Sequence, residues 1–281
     1  SEVSPRPHDT GMVTMYSPNT GRIEKMSKSR GNVVGTLDFF KRYGADAARL
    51  FTLFASPPEQ ELEWSEDGAV GQHRFLTRIW RLVTDLKERG VLVPKLATSP
   101  EFNGGKAELS DKDFALLKLV HKSIKAVTSD LSSERYIFNT AIARCMELVN
   151  GLYKYVQDVN PTEPSAILSF ACKNLLLLMA PMAPHITEEL YHQAGFVATD
   201  KESIHTATWP VFVESLTIDD EIELVLQVNG KIVNKMPASR GLEKSKAEAL
   251  AMADDKMQAK LNGQAIKKVI VVPDKLVNVV I

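Results

Sequence analysis

The sequence predicts a mainly α-helical protein that ends in a small α+β domain, and three observations carry that expectation. From Gly68 to about Gln193 apolar residues recur at steps of three and four, the period of amphipathic helices. From Glu221 onward the period shortens to two, with a turn signal at Asn229-Gly230. Ahead of both lies a polar run, Glu24–Asn32, rich in Ser and Lys and containing Gly31, which reads as a mobile surface loop.

The elements follow in order. Residues 1–22, rich in Pro, Ser, Thr and Gly, read as an irregular or weakly stranded lead-in. Thr36 is placed to cap a short helix through Arg42, which Gly44 ends. Asp46 falls in the first turn of the next helix, where its charge favours the positive end of the dipole, and Pro57-Pro58 stops that helix. Four long apolar stripes come next. The first runs through Phe75, Ile79, Leu82, Val83 and Leu86, the second through Phe114, Leu117, His121, Ile124, Thr128 and Leu131. The third takes Phe138, Ile142, Cys145, Met146, Val149, Leu152, Tyr153 and Val156. The fourth starts near Pro164 and runs to the Pro181–Pro184 break, with a shorter helix through His192 behind it. Short loops between such helices predict an antiparallel bundle. After a linker over residues 194–220, Glu221–Val228 and Lys231–Met236 read as a hairpin. A helix over about Leu242–Leu261 and strands Ala265–Val272 and Leu276–Ile281 complete a ββαββ-like module.

Bulk properties narrow the function. The chain has 281 residues, enough for two or three domains, and its 44% apolar and 25% charged content is that of a soluble globular protein. Net charge is −1, so nucleic-acid binding has to rest on local basic patches. Residues 225–281 supply one, with ten Lys/Arg against five Asp/Glu. Cys145 and Cys172 form no CxxC pair, and no His/Cys cluster has metal-ligand spacing, so neither structural zinc nor a disulfide framework is expected. Unpaired cysteines fit a reducing cytoplasm. The longest apolar run, Leu175–Ala180, is too short to span a bilayer, no secretory signal opens the chain, and no membrane role is expected. Ser1 stands where a start Met is usual, so a fragment, a processed subunit or a cut chain is expected.

The chemistry-bearing stretch is Lys25-Met26-Ser27-Lys28-Ser29. Two lysines three residues apart, spaced by hydroxyls and followed by Gly31, suit a flexible cationic clip over a polyphosphate. When a carboxylate attacks the α-phosphate of ATP, negative charge grows on the departing pyrophosphate. Ammonium groups aimed there stabilise the transition state more than the ground state. On composition alone, an ordinary solvated Lys/Ser loop stands as the alternative.

Lys25–Ser29 matches letter for letter the KMSKS signature of class I aminoacyl-tRNA synthetases, and the chain resembles that family from about residue 23 to 281. The resemblance implies a loop closing over ATP, with Lys28 the chief pyrophosphate-side ligand and Lys25 a supporting charge. Met26 lies within this ATP-binding run, Ser27 and Ser29 would shape it, and Gly31 would let it move. Tyr43-Gly44-Ala45-Asp46, Arg49-Leu50-Phe51 and Phe54-Ala55-Ser56-Pro57 look like the segment behind that loop in the Leu/Val/Ile subgroup. Leu62-Glu63-Trp64, Phe138–Ala143 and Met146-Glu147-Leu148 are similar to the leucyl branch, as are Val228-Asn229-Gly230-Lys231 and Lys268–Asn278. One departure is Asp274, whose usual counterpart is Gly.

The resemblance therefore implies four regions. Residues 1–35 are a remnant of the catalytic domain carrying the KMSKS loop, and 36–68 a stem-contact connection. Residues 69–215 form a helical bundle of the class I anticodon-binding type, and 221–281 a C-terminal tRNA-binding module. Leucine is the implied amino acid, tRNA-Leu the partner and ATP the substrate. Magnesium is expected through a HIGH-bearing half that precedes the loop in the family and has no counterpart here. Without that half, whether in the same chain or a separate subunit, the chain is expected to be inactive. The same chemistry for valine, isoleucine or methionine stays open at this point, as does a non-catalytic tRNA-binding subunit with a vestigial loop.

Basic stripes mark possible RNA contacts. Arg74, Arg78 and Arg81 line one helix face, and Lys118, Lys122 and Lys125 another. Each set suits phosphate contact, against an equally ordinary reading as a solvated face. Resemblance to a tRNA-binding bundle favours the arginines. Lys231, Lys235, Lys267, Lys268 and Lys275 surround the two C-terminal hairpins, and no Phe, Tyr or Trp follows Phe212, so phosphate contact rather than base stacking is expected there. Trp64, Trp80, His121 and Tyr153 read as packing residues. His185 and His192 lack a third metal ligand, and Glu188-Glu189 reads as an exposed helix surface.

Overall fold

The computed structural model describes residues 13–17, 21–27, 35–55, 62–97, 109–132, 136–197, 199, 201–218 and 221–281. They fall into two compact units, one reaching to Thr217 and the other spanning Ile218–Ile281. The content is mostly helical, with two small mixed sheets.

The first unit opens with strands β1 (Val13–Ser17), β2 (Arg22–Lys25) and β3 (Leu62–Glu63). Their order is β2-β1-β3, antiparallel across the first pair and parallel across the second. Between β2 and β3 come α1 (Thr36–Tyr43) and α2 (Ala45–Ala55), separated by Gly44 at φ 83°, a left-handed conformation that glycine adopts without strain. The N-cap of α1 is Gly35, and Thr36 stands one position further in, so Thr36 is not the capping residue. Helix α2 ends at Ala55, and Pro57-Pro58 lie outside the described residues. Trp64 packs edge-on to both Phe39 (4.9 Å) and Phe51 (5.1 Å), closing a small core with Leu62 and Ala69.

Five helices follow: α3 (Glu66–Glu88), α4 (Asp111–Asp130), α5 (Phe138–Val159), α6 (Ala166–Met179) and α7 (Pro184–Gln193). Serines start three of them. The hydroxyls of Ser65, Ser110 and Ser165 accept the N–H of Gly68, Asp113 and Leu168 respectively. The expected apolar stripe of α3 is buried throughout. On α4 the buried face is rotated from the expected one. Leu116 and Val120 join Leu117, His121 and Ile124 inside, while Phe114, Thr128 and Leu131 are half-exposed. Helix α6 is apolar almost all round and sits where every side meets protein: twelve of its fourteen residues are buried. Its buried Ser169 donates to Ser165 O and accepts from Val93 N, stitching the chain after α3 to this central helix. Cys145 and Cys172 are fully buried, and burial pushes both thiols up to about 12, so they remain inert. No helix among the described residues is long and apolar enough to cross a membrane.

The second unit contains β4 (Glu221–Val228), β5 (Lys231–Ser239), α8 (Lys244–Ala253), α9 (Asp255–Leu261), β6 (Lys268–Val272) and β7 (Leu276–Val280). The turn at Asn229 (φ 48°) and Gly230 (φ 78°) joins β4 to β5 as expected. Strand order is β5-β4-β7-β6, so two hairpins are joined by parallel pairing of β4 with β7. Leu224, Leu226, Val228, Val277 and Val279 pack on Ala247, Ala251, Met257 and Leu261 of the helices. The single helix expected over Leu242–Leu261 is two helices. Asp254 is extended, with ψ 124°, and its carboxylate accepts Met257 N at 2.9 Å, so it caps a new helix instead of continuing the old one.

Candidate ATP loop and nucleic-acid interface

Lys25 is the last residue of β2, exposed and in register with Thr14. Thr14 is buried, its hydroxyl donates to Leu62 O, and its carbonyl accepts Trp64 N at 2.7 Å. The loop thus leaves from a strand that is tied through β1 to the aromatic core. Met26 and Ser27 follow, half-buried. Lys28 and Ser29, with Arg30 and Gly31, lie outside the described residues. On β1, β2, α1 and α2 the apolar side chains Tyr16, Ile23, Leu37, Phe40 and Phe54 are exposed. Beside them an open cavity of about 510 Å³ is lined by Phe39, Phe40, Ala48, Arg49, Leu53 and Trp64.

Helix α2 is joined to α7 by Asp46, whose place in the sequence suggests only a first-turn charge for its own helix. Asp46 is 6% exposed, and its carboxylate accepts Ile186 N at 2.7 Å, His185 N at 3.4 Å and His185 Nδ1 at 2.8 Å. It therefore caps α7 from another helix, and Arg49 adds a bond to Pro181 O at 3.1 Å. One signal was available: α7 begins with Pro184 behind Ala183, which has no side chain to cap with. A helix without its own cap needs an acceptor from elsewhere.

Of the arginine stripe on α3, all three members are exposed. Arg78 is held by α5: its guanidinium donates to Asn150 Oδ1 at 2.8 Å and lies 4.9 Å from the centre of the Tyr153 ring. Arg74 and Arg81 have no ion-pair partner among the described residues. The lysine stripe on α4 is structural at two of its positions. Lys118 is buried over Phe114, and Lys125 pairs with Glu214 at 2.5 Å while lying over Phe212. Lys122 is half-buried. His121 is buried, its pKa lowered by that burial, and its Nδ1 accepts Val213 N at 3.1 Å. Trp80 and Tyr153 pack, half-buried, against the same core.

Glu188 is not a plain surface residue. It accepts Ile204 N at 2.9 Å and the Ser203 hydroxyl at 3.0 Å, and it faces His192 at 3.3 Å and His205 at 3.9 Å. Burial raises its pKa, but the Ile204 N–H, the Ser203 hydroxyl and the two imidazoles outweigh that and hold the carboxyl below its usual range.

In the second unit, pairing register separates the five lysines. Lys231 follows the Asn229-Gly230 turn, and Lys267 and Lys268 pair with Val280 at the same end of the sheet. Lys275 lies in the turn at the opposite end, and Lys235 is mid-strand, paired with Glu223 at 2.7 Å. Lys231, Lys267, Lys268 and Lys275 are exposed and have no ion-pair partner among the described residues. Asp274 has φ 55°, a conformation suited to glycine. Its carboxylate accepts Gly241 N at 2.6 Å and faces Arg240 at 4.0 Å, contacts a glycine would lack.

Comparison with known proteins agrees along the chain. Residues 12–65 match the family model "tRNA synthetases class I (I, L, M and V)", and residues 113–248 match "Anticodon-binding domain of tRNA ligase". A leucine–tRNA ligase of Geobacter sp. strain M21 is 42% identical over 257 residues, and that of Syntrophobacter fumaroxidans 43% over 258. Each match covers 92% of this chain and 30% of the relative, so the chain spans about a third of their length. Among solved structures, a LeuRS of Agrobacterium radiobacter K84, in a ternary complex with tRNA and LeuAMS, matches with a TM-score of 0.77 at 29% identity. That match covers 96% of this chain and 33% of the other. Over nine-tenths of its length the chain is thus similar to leucine–tRNA ligases, and two of its stretches match models of the class I tRNA synthetases.

Proposed function

We propose that this chain supplies the KMSKS loop and the tRNA-holding domains for ATP-dependent ligation of leucine to tRNA-Leu in the cytoplasm. The observation that carries the reading is the run Lys25–Ser29 leaving a strand anchored in the aromatic core, directly ahead of the helices that lead into the bundle. In the first step, a leucine carboxylate oxygen attacks the α-phosphorus of ATP, the bond to the bridging oxygen breaks, and pyrophosphate leaves with the electron pair. Lys28 meets the charge that develops there, and Lys25, at the rim, supports it. In the second step a ribose hydroxyl at the tRNA 3′ end attacks the leucyl carbonyl and displaces AMP. Among the described residues no group of three or more His, Cys, Asp or Glu could hold a metal ion; magnesium is assigned to the HIGH-bearing half.

The exposed apolar set Tyr16, Ile23, Leu37, Phe40 and Phe54 supports docking of that half beside the loop. For tRNA, Arg74 and Arg81 on the bundle, and Lys231, Lys267, Lys268 and Lys275 on the second unit, carry the phosphate contacts. Arg78 and Lys235 contribute less, because each already has a partner. The test is leucine-dependent pyrophosphate exchange by the chain alone, by the chain joined to a HIGH-bearing half, and by that assembly with Lys28→Ala. We expect no exchange from the chain alone and robust exchange from the assembly. Loss of Lys28 should raise the barrier by about 3 kcal/mol with little change in leucine affinity. An unchanged rate in Lys28→Ala would remove the loop from the mechanism.

A further inference from the structure

Between α2, α3 and α7 lies an open groove of about 520 Å³ that the surfaces above do not use. One face of α3 supplies His73, Leu76, Thr77 and Trp80, at successive helical steps, and His185 and Ile186 come from α7. Its size suits a single nucleoside. The wall includes the indole of Trp80, half-buried against the core and so backed by protein on its inner side.

The two imidazoles are fixed in tautomer by what their other nitrogen touches. His73 Nδ1 lies 3.1 Å from Tyr43 O, and a carbonyl only accepts, so Nδ1 carries the hydrogen. His185 Nδ1 lies 2.8 Å from the Asp46 carboxylate, with the same consequence. In the neutral form of either ring Nε2 is then left as an acceptor, and neither Nε2 has a partner among the described residues. Asp46, the carboxylate lining the groove, is buried and its oxygens are taken by His185 and Ile186, so they are not left to accept from a ligand. Arg74 and Arg81 each lie one residue beyond a groove-lining position of α3, about 100° further round the helix, exposed and without an ion-pair partner among the described residues.

We propose that this groove is a subsite for one unpaired nucleotide of the bound tRNA, whose base carries an exocyclic amino group. The base stacks on Trp80 and its amino group donates to Nε2 of His73 or His185, while Arg74 and Arg81 hold the flanking phosphates. Adenine, cytosine and guanine own such a donor and uracil does not. The proposal rests on the reading that the chain binds tRNA, and it adds a base-sensing site to the phosphate contacts.

The test titrates the 281-residue chain with a tRNA-Leu transcript at several salt concentrations. In the double variant His73→Asn/His185→Asn, the asparagine amide replaces each Nδ1–H donor, keeping the bonds to Tyr43 O and Asp46 while deleting Nε2. We expect about tenfold weaker binding with an unchanged salt slope. Arg74→Ala/Arg81→Ala should instead flatten the slope by about two charges. Trp80→Phe, which keeps an aromatic face, should bind within about threefold of the unaltered chain, and Trp80→Leu about as weakly as the histidine pair. Affinity of the histidine variant within twofold of the unaltered chain, or a loss accompanied by a flatter slope, would overturn the subsite alone. An unaltered chain that binds no tRNA would overturn the tRNA reading and the subsite together.

Discussion

Replacing Asp46 by alanine removes the acceptor for three donors at once: Ile186 N, His185 N and His185 Nδ1. The two backbone groups open α7, whose Ala183 has no side-chain cap to take over. Loss of a cap of this kind costs about 1 kcal/mol. The bond to the His185 ring adds about 0.5–1 kcal/mol, discounted because that side chain is 73% exposed and water replaces the lost partner. Together these predict destabilisation of about 2 kcal/mol, or a fall in melting temperature of roughly 4–8 °C for a unit of this size. Trp64, Trp80 and Trp209 all belong to the first unit, so tryptophan fluorescence during urea unfolding reports that unit without contribution from the second. Asp46→Asn keeps one acceptor for Ile186 N and should lose about half as much. If Asp46→Ala unfolds at the same urea concentration as the unaltered chain, or if the asparagine variant is the worse of the two, the carboxylate is not what joins α2 to α7.

Gly68→Ala would place a Cβ 2.7 Å from Phe51 Cε2, on a ring that is 3% exposed and wedged against Trp64. Overpacking of about 1–3 kcal/mol outweighs the helix-propensity gain of up to about 1 kcal/mol, so the same urea curve should shift downward. Glu188→Gln should cost about 1 kcal/mol at pH 7. Because the folded carboxyl lies below its ordinary 4.5, its contribution is present above that value and fades as pH falls through the folded value. The gap between the two proteins should therefore close in urea titrations at acid pH. Deleting Ile218–Ile281 should weaken tRNA binding and flatten its dependence on salt by up to about four charges, one for each of Lys231, Lys267, Lys268 and Lys275. Equal affinity and slope for the truncated chain would make that basic surface irrelevant to RNA.

Period and punctuation made much of this fold legible. The stripe of α3 and the Asn229-Gly230 turn are local features, decided by side chains close together in sequence. The KMSKS match was legible because Lys25–Ser29 is contiguous. What stayed hidden depends on side chains that meet across the chain. Asp46 and His185 are 139 residues apart, and Glu188 draws Ser203, Ile204 and His205 onto α7. The lysines of α4 looked like the arginines of α3 in spacing. They differ because residues after the bundle fold back over α4, so that Phe212, Glu214 and Thr217 occupy Lys125. The split between α8 and α9 was missed because aspartate tolerates a helix interior, yet competes for a backbone N–H when it has Asn234 at 2.6 Å to hold it.

The parallel pairing of β4 with β7 sets the order in which the second unit is able to form. Its central strands are nearly the first and the last to be synthesised, Glu221–Val228 and Leu276–Val280, and each supplies residues to the shared core. While the chain is emerging from a ribosome, the β4–β5 hairpin has one edge unsatisfied and the helices have only half a sheet to cover. That edge stays exposed until residue 280 has cleared the exit tunnel. A chain truncated before Leu276 would then keep the helices of the first unit while its second unit stays unfolded. Such a molecule would present an unpaired strand edge to the quality-control machinery of the cell.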